Sequence, residues 1–300
     1  LSSLQQLQHG LSRFFTRMDH RISDDTSASL QWYGNFYTTH EKVLTDRYAT
    51  YENDIEAQIN HNINENHNIS FGGNLRYFRL TVDSPSAQSA KLNGEPFEED
   101  WAGLFLVDRY KINERLTLEG QIRSDWYTGT KRDWSARGSV LYALDEAGDH
   151  TLRFSAAKAY RAPAVGFRKT SMSRIPLGGP VFAINYAVPT DGLKNEETWS
   201  LEAGYLGKLD DGLTLQIDTY FQRFTHLIGG VTTAGVTRLA NIDGARGYGV
   251  ECEVSKQLEK GQVSAWYSFN GLETDQGNQS IRSAYPAQNK AGLRFRHPLP

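Results

Sequence analysis

Residues 51–63 alternate between apolar and polar almost without a break. Tyr51, Ile55, Ala57, Ile59 and Ile63 fall on one side, and Glu52, Asp54, Glu56, Gln58 and Asn60 on the other. Successive side chains of an extended backbone point to opposite faces, so this segment is a strand with one apolar and one polar face. Residues 116–126 repeat the pattern, with Leu116, Leu118, Gly120, Ile122 and Trp126 opposed to Thr117, Glu119, Gln121, Arg123 and Asp125. So do residues 28–37, through Leu30, Trp32, Gly34 and Phe36, and residues 213–221, through Leu213, Leu215, Ile217, Thr219 and Phe221. No stretch of comparable length carries an apolar stripe at helical spacing, so the chain reads as all-β.

Segment length narrows the choice further. About 13 segments are expected, near 11–22, 28–40, 51–63, 68–82, 99–111, 115–127, 133–144, 150–160, 196–208, 212–226, 243–255, 262–273 and 288–297. Most run about 10–15 residues, whereas strands of soluble domains average about 5–6. At roughly 3.3 Å per residue and a tilt near 45°, about 11 residues cross the apolar core of a bilayer. Every odd-numbered link is short, as in SDDTS (23–27), NENH (64–67), INE (112–114), DEAGD (145–149) and LDD (209–211). The even-numbered links 41–50, 83–98, 161–195, 227–242 and 274–287 are long, with the YTGTKR stretch near residue 130 the exception. Short turns on one side and long loops on the other are the connectivity of outer-membrane barrels. A soluble sandwich, jelly roll or propeller has no reason to segregate loop length in this way. Aromatic residues also crowd the strand ends (Trp32, Tyr33, Phe36, Tyr37, Tyr48, Tyr51, Trp101, Trp126, Tyr127, Trp134), as interfacial girdles do. The fold expected is an antiparallel, up-and-down transmembrane β-barrel segment.

Composition alone would mislead here. A mean hydropathy of -0.55 excludes a helical membrane protein but not a wall that deals its apolar residues out every second position. The net charge of -3 argues against a nucleic-acid surface. The one cysteine, Cys252, forms no intrachain disulfide, and its alternation with Val250 and Val254 places it on the lipid side. His61 and His67 bracket a turn without a third ligand nearby, so no metal site is expected there. Nor is a hydrolase elbow, zinc-protease helix, P-loop or dinucleotide fingerprint present.

Several motifs in order then resemble TonB-dependent receptors, the active-uptake barrels of Gram-negative outer membranes. Segment 105–125 (FLVDRYKINERLTLEGQIRSD) resembles that family's strand–turn–strand pattern through Asp108, Leu116-x-Leu118 and Arg123-x-Asp125. Ala159-Tyr160-Arg161-Ala162-Pro163 is similar to its aromatic-Arg-Ala/Thr-Pro element, and Leu193-Lys194-Asn195-Glu196 with Trp199, Glu202 and Gly204 to its LKPE block. Residues Asn241 to Glu253 (NIDGARGYGVECE) resemble its N-x-x-x-A-R-x-x-G-V-E-x-E block. Asn195 stands where the family usually has Pro, and Gln288-Asn289 lie near where it favours His. The resemblance implies a barrel of 22 strands, so residues 1–300 are expected to be a single barrel-domain fragment that does not close, without the plug domain or the last strands. It also implies uptake of a scarce nutrient powered through the TonB complex. A ferric siderophore is the first expectation, with cobalamin or a glycan as others. A passive porin and a barrel enzyme are the competing classes, and neither cofactor nor covalent chemistry is expected.

Candidate residues follow from loop and lumen positions. Loop 161–195 carries Arg161, Arg168, Lys169 and Arg174 with Phe167, Phe182 and Tyr186. Cations beside aromatic rings suit an anionic, partly aromatic metal chelate, or equally the phosphates of lipopolysaccharide. Glu52, Asp54 and Glu56 with Arg76 on the next strand are expected to line the lumen, pair across strands and face the plug. The glycines around Ala245-Arg246, and Pro163 after strand 150–160, read as structural devices. A monomer in the outer membrane is expected, in contact with its lipid.

Overall fold

The structure, a computed structural model, describes residues 7–41, 47–83, 91–92, 96–130, 132–171, 176–178, 181–182, 186–188, 190, 192–209, 212–233, 236–242, 244–275 and 287–297. Thirteen strands make one antiparallel sheet in chain order. They are β1 (Leu7–Arg21), β2 (Thr26–Glu41), β3 (Arg47–Asn64), β4 (His67–Asp83), β5 (Phe97–Lys111), β6 (Leu116–Tyr127) and β7 (Asp133–Ala143). They continue as β8 (His150–Arg161), β9 (Glu196–Leu209), β10 (Leu213–Thr225), β11 (Ala245–Leu258), β12 (Gly261–Thr274) and β13 (Asn289–Arg296). Each strand pairs with its sequence neighbours, and β1 and β13 do not pair with each other, so the sheet is open.

The number and order of strands agree with the alternation. Their ends do not, because several strands run past the apolar–polar pattern. β2 reaches Glu41 and β3 begins at Arg47, so both described ends of the expected loop 41–50 are ladder, with His40 opposite Arg47 and Thr38 opposite Ala49. A backbone ladder needs no apolar side chains once it is nucleated, so it continues into the polar rim where the hydropathy signal stops. The loops also hold structure of their own. Residues Ile228–Thr233 and Val236–Asn241 form a hairpin inside expected loop 227–242, and Val165–Lys169 form one helical turn after β8.

Register settles the two faces. Ile55 lies opposite Trp32 and Leu75, and Phe71 lies opposite Ile59 and Leu106, giving a continuous apolar row across β2 to β5. One residue along, Asp54 lies opposite Tyr33 and Arg76. Ile55 is 50% exposed whereas Asp54 is 3% exposed. Across the described residues the buried apolar side chains are Val82, Phe97 and Ala245, while Asp54, Glu99, Asp125, Ser139, Ser155 and Lys158 are buried polar ones. Such an inverted distribution is unfavourable in water, because the contiguous apolar face is far larger than monomeric soluble proteins expose. Lipid removes that cost. No described helix is long and apolar enough to cross a membrane. Cys252 shares the outer face with Val250 and Val254, opposite Ile217 and Tyr267.

The short links are held by side-chain acceptors. The Asn113 carboxamide accepts the backbone N–H groups of Arg115 and Leu116, both at 2.9 Å. The Asp145 carboxylate accepts those of Asp149 and His150 at 2.9 and 2.8 Å. Desolvation opposes ionisation of Asp145, but these backbone bonds prevail and hold its carboxyl below the ordinary range.

Candidate functional site

The polar face carries a connected network from β2 to β8. Arg76 donates through Nε to Asp54 at 2.6 Å and through Nη2 to the Tyr33 hydroxyl at 2.6 Å, and its Nη1 lies 3.2 Å from Glu52. Its guanidinium sits 5.0 Å from the Trp101 ring centroid and 5.7 Å from that of Tyr33. Asn74 donates to Asp54 at 3.1 Å and accepts from Arg123 at 2.7 Å. Arg123 chelates Asp125 through Nε at 2.9 Å to each carboxylate oxygen, and the Tyr160 hydroxyl donates to Asp125 at 2.5 Å. Trp101, Tyr127 and Tyr160 meet edge to face along this wall. Glu56 accepts from Gln31 at 3.2 Å, which pairs this carboxylate across strands as well. The structure places Glu52 and Asp54 beside Arg76, with Glu56 bonded to Gln31. Tyr33, Trp101 and Tyr127, expected in an interfacial girdle, join this network instead, and Asn74 and Tyr160 carried no such expectation, although the Arg123-x-Asp125 spacing was a legible sign of a same-face pair, as was Arg17-x-Asp19, bonded at 2.9 Å.

Tyr160 reaches this network from the end of β8. Phe154 and Ala156 are exposed and Ser155 is buried, but farther along Ala159 is exposed while Lys158 is buried and Tyr160 half-buried. Strict alternation would leave Tyr160 on the face of Phe154. Its hydroxyl nevertheless bonds Asp125, while Lys158, opposite the exposed Trp199, brings its ammonium within 3.1 Å of Asp133 and 4.2 Å of the Trp134 ring centroid. The Ala-Tyr-Arg-Ala-Pro element therefore brings the Tyr160 hydroxyl to the network as well as ending a strand. Beyond it, Arg161 is ion-paired with Glu196 at the start of β9.

The loop candidates separate into different environments. Arg168 is 6% exposed, its Nη2 bonds both oxygens of Glu99 at 2.9 Å, and its Nε donates to the Pro163 carbonyl at 3.0 Å. Its guanidinium lies 5.6 Å from the Phe97 ring centroid. This is an anchor that folds the helical turn onto the polar face of β5. A Cβ on Gly129 would come within 1.8 Å of Arg168 Nη1, so a side chain there would have to displace the Arg168 guanidinium. Arg161 is exposed and Lys169 half-buried. Arg174 lies outside the described residues, as do the side chains of Phe167, Phe182 and Tyr186. Glycine is required in the 241–253 block, where a Cβ on Gly249 would meet the Phe269 carbonyl at 2.6 Å. His61 bonds Thr26 at 2.9 Å and His67 bonds Asp108 at 2.7 Å, so the two histidines serve separate partners.

An open antiparallel wall with an apolar outer face and a hydrogen-bonded polar inner face is the architecture of a segment of a transmembrane β-barrel. The family profile described as TonB dependent receptor-like, beta-barrel matches residues 3–297, and the chain belongs to that family. Solved structures of similar fold include the siderophore receptor PirA from Pseudomonas aeruginosa, with TM-score 0.72 and 15% identity over 90% of this chain and 51% of that one. The FrpB iron transporter from Neisseria meningitidis gives TM-score 0.71 and 13% identity over 94% and 48%. The Serratia marcescens hemophore receptor HasR, solved with its hemophore HasA and heme, gives 0.68 and 15% over 88% and 49%. The chain thus spans about half the length of these structures. No curated protein matches the sequence.

Proposed function

We propose that this chain is part of the wall of a Gram-negative outer-membrane receptor that imports a ferric chelate, a siderophore first, by energy-dependent transport. The observation that carries this reading is the match of nearly the whole chain to the receptor barrel, joined to a lumen face whose charges are already paired. A wall with satisfied charges gives a large anionic ligand no fixed trap along its path, so capture falls to the loops. Arg161, Lys169 and Arg174 with Phe167, Phe182 and Tyr186 are the proposed contacts, and Arg168 holds the loop in place. A plug and the strands that close the barrel belong to the receptor length this chain does not span. The plug would meet the lumen row of Glu52, Asp54, Glu56 and Arg76, and would carry the contact to TonB.

Radio-iron uptake tests the reading in a strain lacking the full-length receptor and in the same strain carrying it. Uptake from at least one ferric siderophore should depend on the receptor. If accumulation of every chelate is unchanged while small uncharged solutes enter faster, the barrel is a passive channel.

A further inference from the structure

Five of the eight histidines gather where the strands meet the short turns. His20 stands next to the end of β1 and His61 three residues from the end of β3, His67 and His150 open β4 and β8, and His297 follows β13. His20 lies opposite Ala28, which lies opposite Ile59, and His61 is two residues beyond Ile59 and opposite Ile69. His67 and His150 keep step with the exposed Phe71 and Phe154, and His297 stacks on the exposed Phe295 at 6.1 Å. The four strand histidines therefore share the apolar outer face. His61 is six residues from Ile55. At about 3.4 Å per residue and a tilt near 40°, that is about 15 Å along the membrane normal, past half of a roughly 25 Å apolar band. This is headgroup depth.

Neighbouring groups orient these rings. His61 Nδ1 bonds the Thr26 hydroxyl at 2.9 Å, His67 Nε2 bonds Asp108 at 2.7 Å, and His150 Nδ1 bonds the Tyr205 hydroxyl at 2.7 Å. Each bond uses one ring nitrogen, so a protonated ring has the other to offer as a donor. The permanent cations of the same turns are already engaged: Arg21 with Asp24, Lys111 with Glu114, Arg115 with Glu146 and Lys208 with Asp149, at 2.7 to 3.2 Å. Asp108 faces His67 and Asp145 lies beside His150, and both favour the charged ring. His20 and His61 have Ala28, Thr26 and Ile69 as ladder partners, without a charge among them. Lys256 is the outward cation on β11, and Asp25 and Glu65 are exposed on the turns. Of these groups, imidazole is the one whose charge ordinarily changes between pH 5 and 8.

We propose that this histidine rim binds the phosphate groups of anionic phospholipids, and binds them more tightly as pH falls. Protonation adds both positive charge and a second N–H donor, which sets that direction. A lipid is the occupant because the same rings stand among Ile59, Ile69, Leu152 and Phe295, which acyl chains cover and a soluble anion does not. The inference goes beyond the receptor reading and uses it only to assign the leaflet, since short barrel turns face the periplasm. Electron spin resonance of the full-length receptor in phosphatidylcholine vesicles tests it, by comparing spin-labelled phosphatidylglycerol with spin-labelled phosphatidylcholine at the protein boundary. In the wild type, preference for the anionic lipid should rise at least about threefold from about pH 7.5 to about pH 5.5. His9→Gln, on the other face and at the other end of β1, should leave that rise intact. Combined His61→Gln, His67→Gln and His150→Gln should abolish it, and His61→Gln alone should lower it, which decides the matter if the triple variant fails to insert. A wild type without pH dependence, or the same rise in the histidine variants, overturns the proposal. So does a preference that inorganic phosphate removes at constant ionic strength, because the rim would then serve a soluble anion. Iron uptake without the lipid preference defeats this inference alone, and the preference without uptake defeats the transport reading alone.

Discussion

Arg76 shows how charge is tolerated inside this wall. Three donor nitrogens meet Asp54, Glu52 and Tyr33, and an indole covers one face of the guanidinium. Asp54→Ala should therefore destabilise the full receptor by about 2–3 kcal/mol, less than a fully severed buried pair because Glu52 and Tyr33 remain. Urea unfolding in micelles checks this, and a loss under about 0.5 kcal/mol would mean that the network is decorative. Glu99→Ala is the harsher change, because Arg168 is left covered and uncompensated. The expected loss is about 3–5 kcal/mol locally, read as faster protease cleavage within 161–195 and no change in the strands. Arg223 and Asp275 give a pH dependence at the rim. Hydrogen bonding from Arg223 holds the Asp275 carboxyl below its ordinary value. A depressed folded value means that the pair contributes fully above the unfolded carboxylate pKa of about 3.9 and is lost as pH falls through the lower folded value. Rim opening by hydrogen exchange should rise over that acidic window in the wild type, and Arg223→Ala should already be open above it.

At the scale of the strand, facing is the testable property. Ile55 lies near the middle of β3 on the outer face, and Gln58 lies on the inner face. Ile55→Arg should impair insertion of the complete receptor by about 2–4 kcal/mol, and Gln58→Arg far less. Folding titrations into vesicles measure both, and equal effects would contradict the assigned faces. These faces were legible because lipid on one side and water on the other force a period of two on every residue between them. Strand ends were less so, since the ladder at Thr38–Ala49 continues where that force stops. The bond from Tyr160 to Asp125 was not legible either, because strict alternation puts Tyr160 on the face of Phe154. The Glu99–Arg168 anchor joins residues 69 apart in sequence, and nothing local to either one signals the other.

For the whole molecule, up-and-down connectivity made strand order readable, since each short turn leaves only an adjacent antiparallel partner. The candidate site was readable by half. Lumen pairing followed from alternation, whereas the loop contacts of Arg161 and Arg168 join separate chain segments and have no periodic signature. The account turns on active import through this wall. The most direct measurement is radio-iron uptake from a ferric siderophore by cells bearing the full-length receptor, with and without functional TonB. Uptake that is saturable and falls to the level of receptor-less cells when TonB is removed is the predicted result. Uptake that persists unchanged without TonB would contradict it.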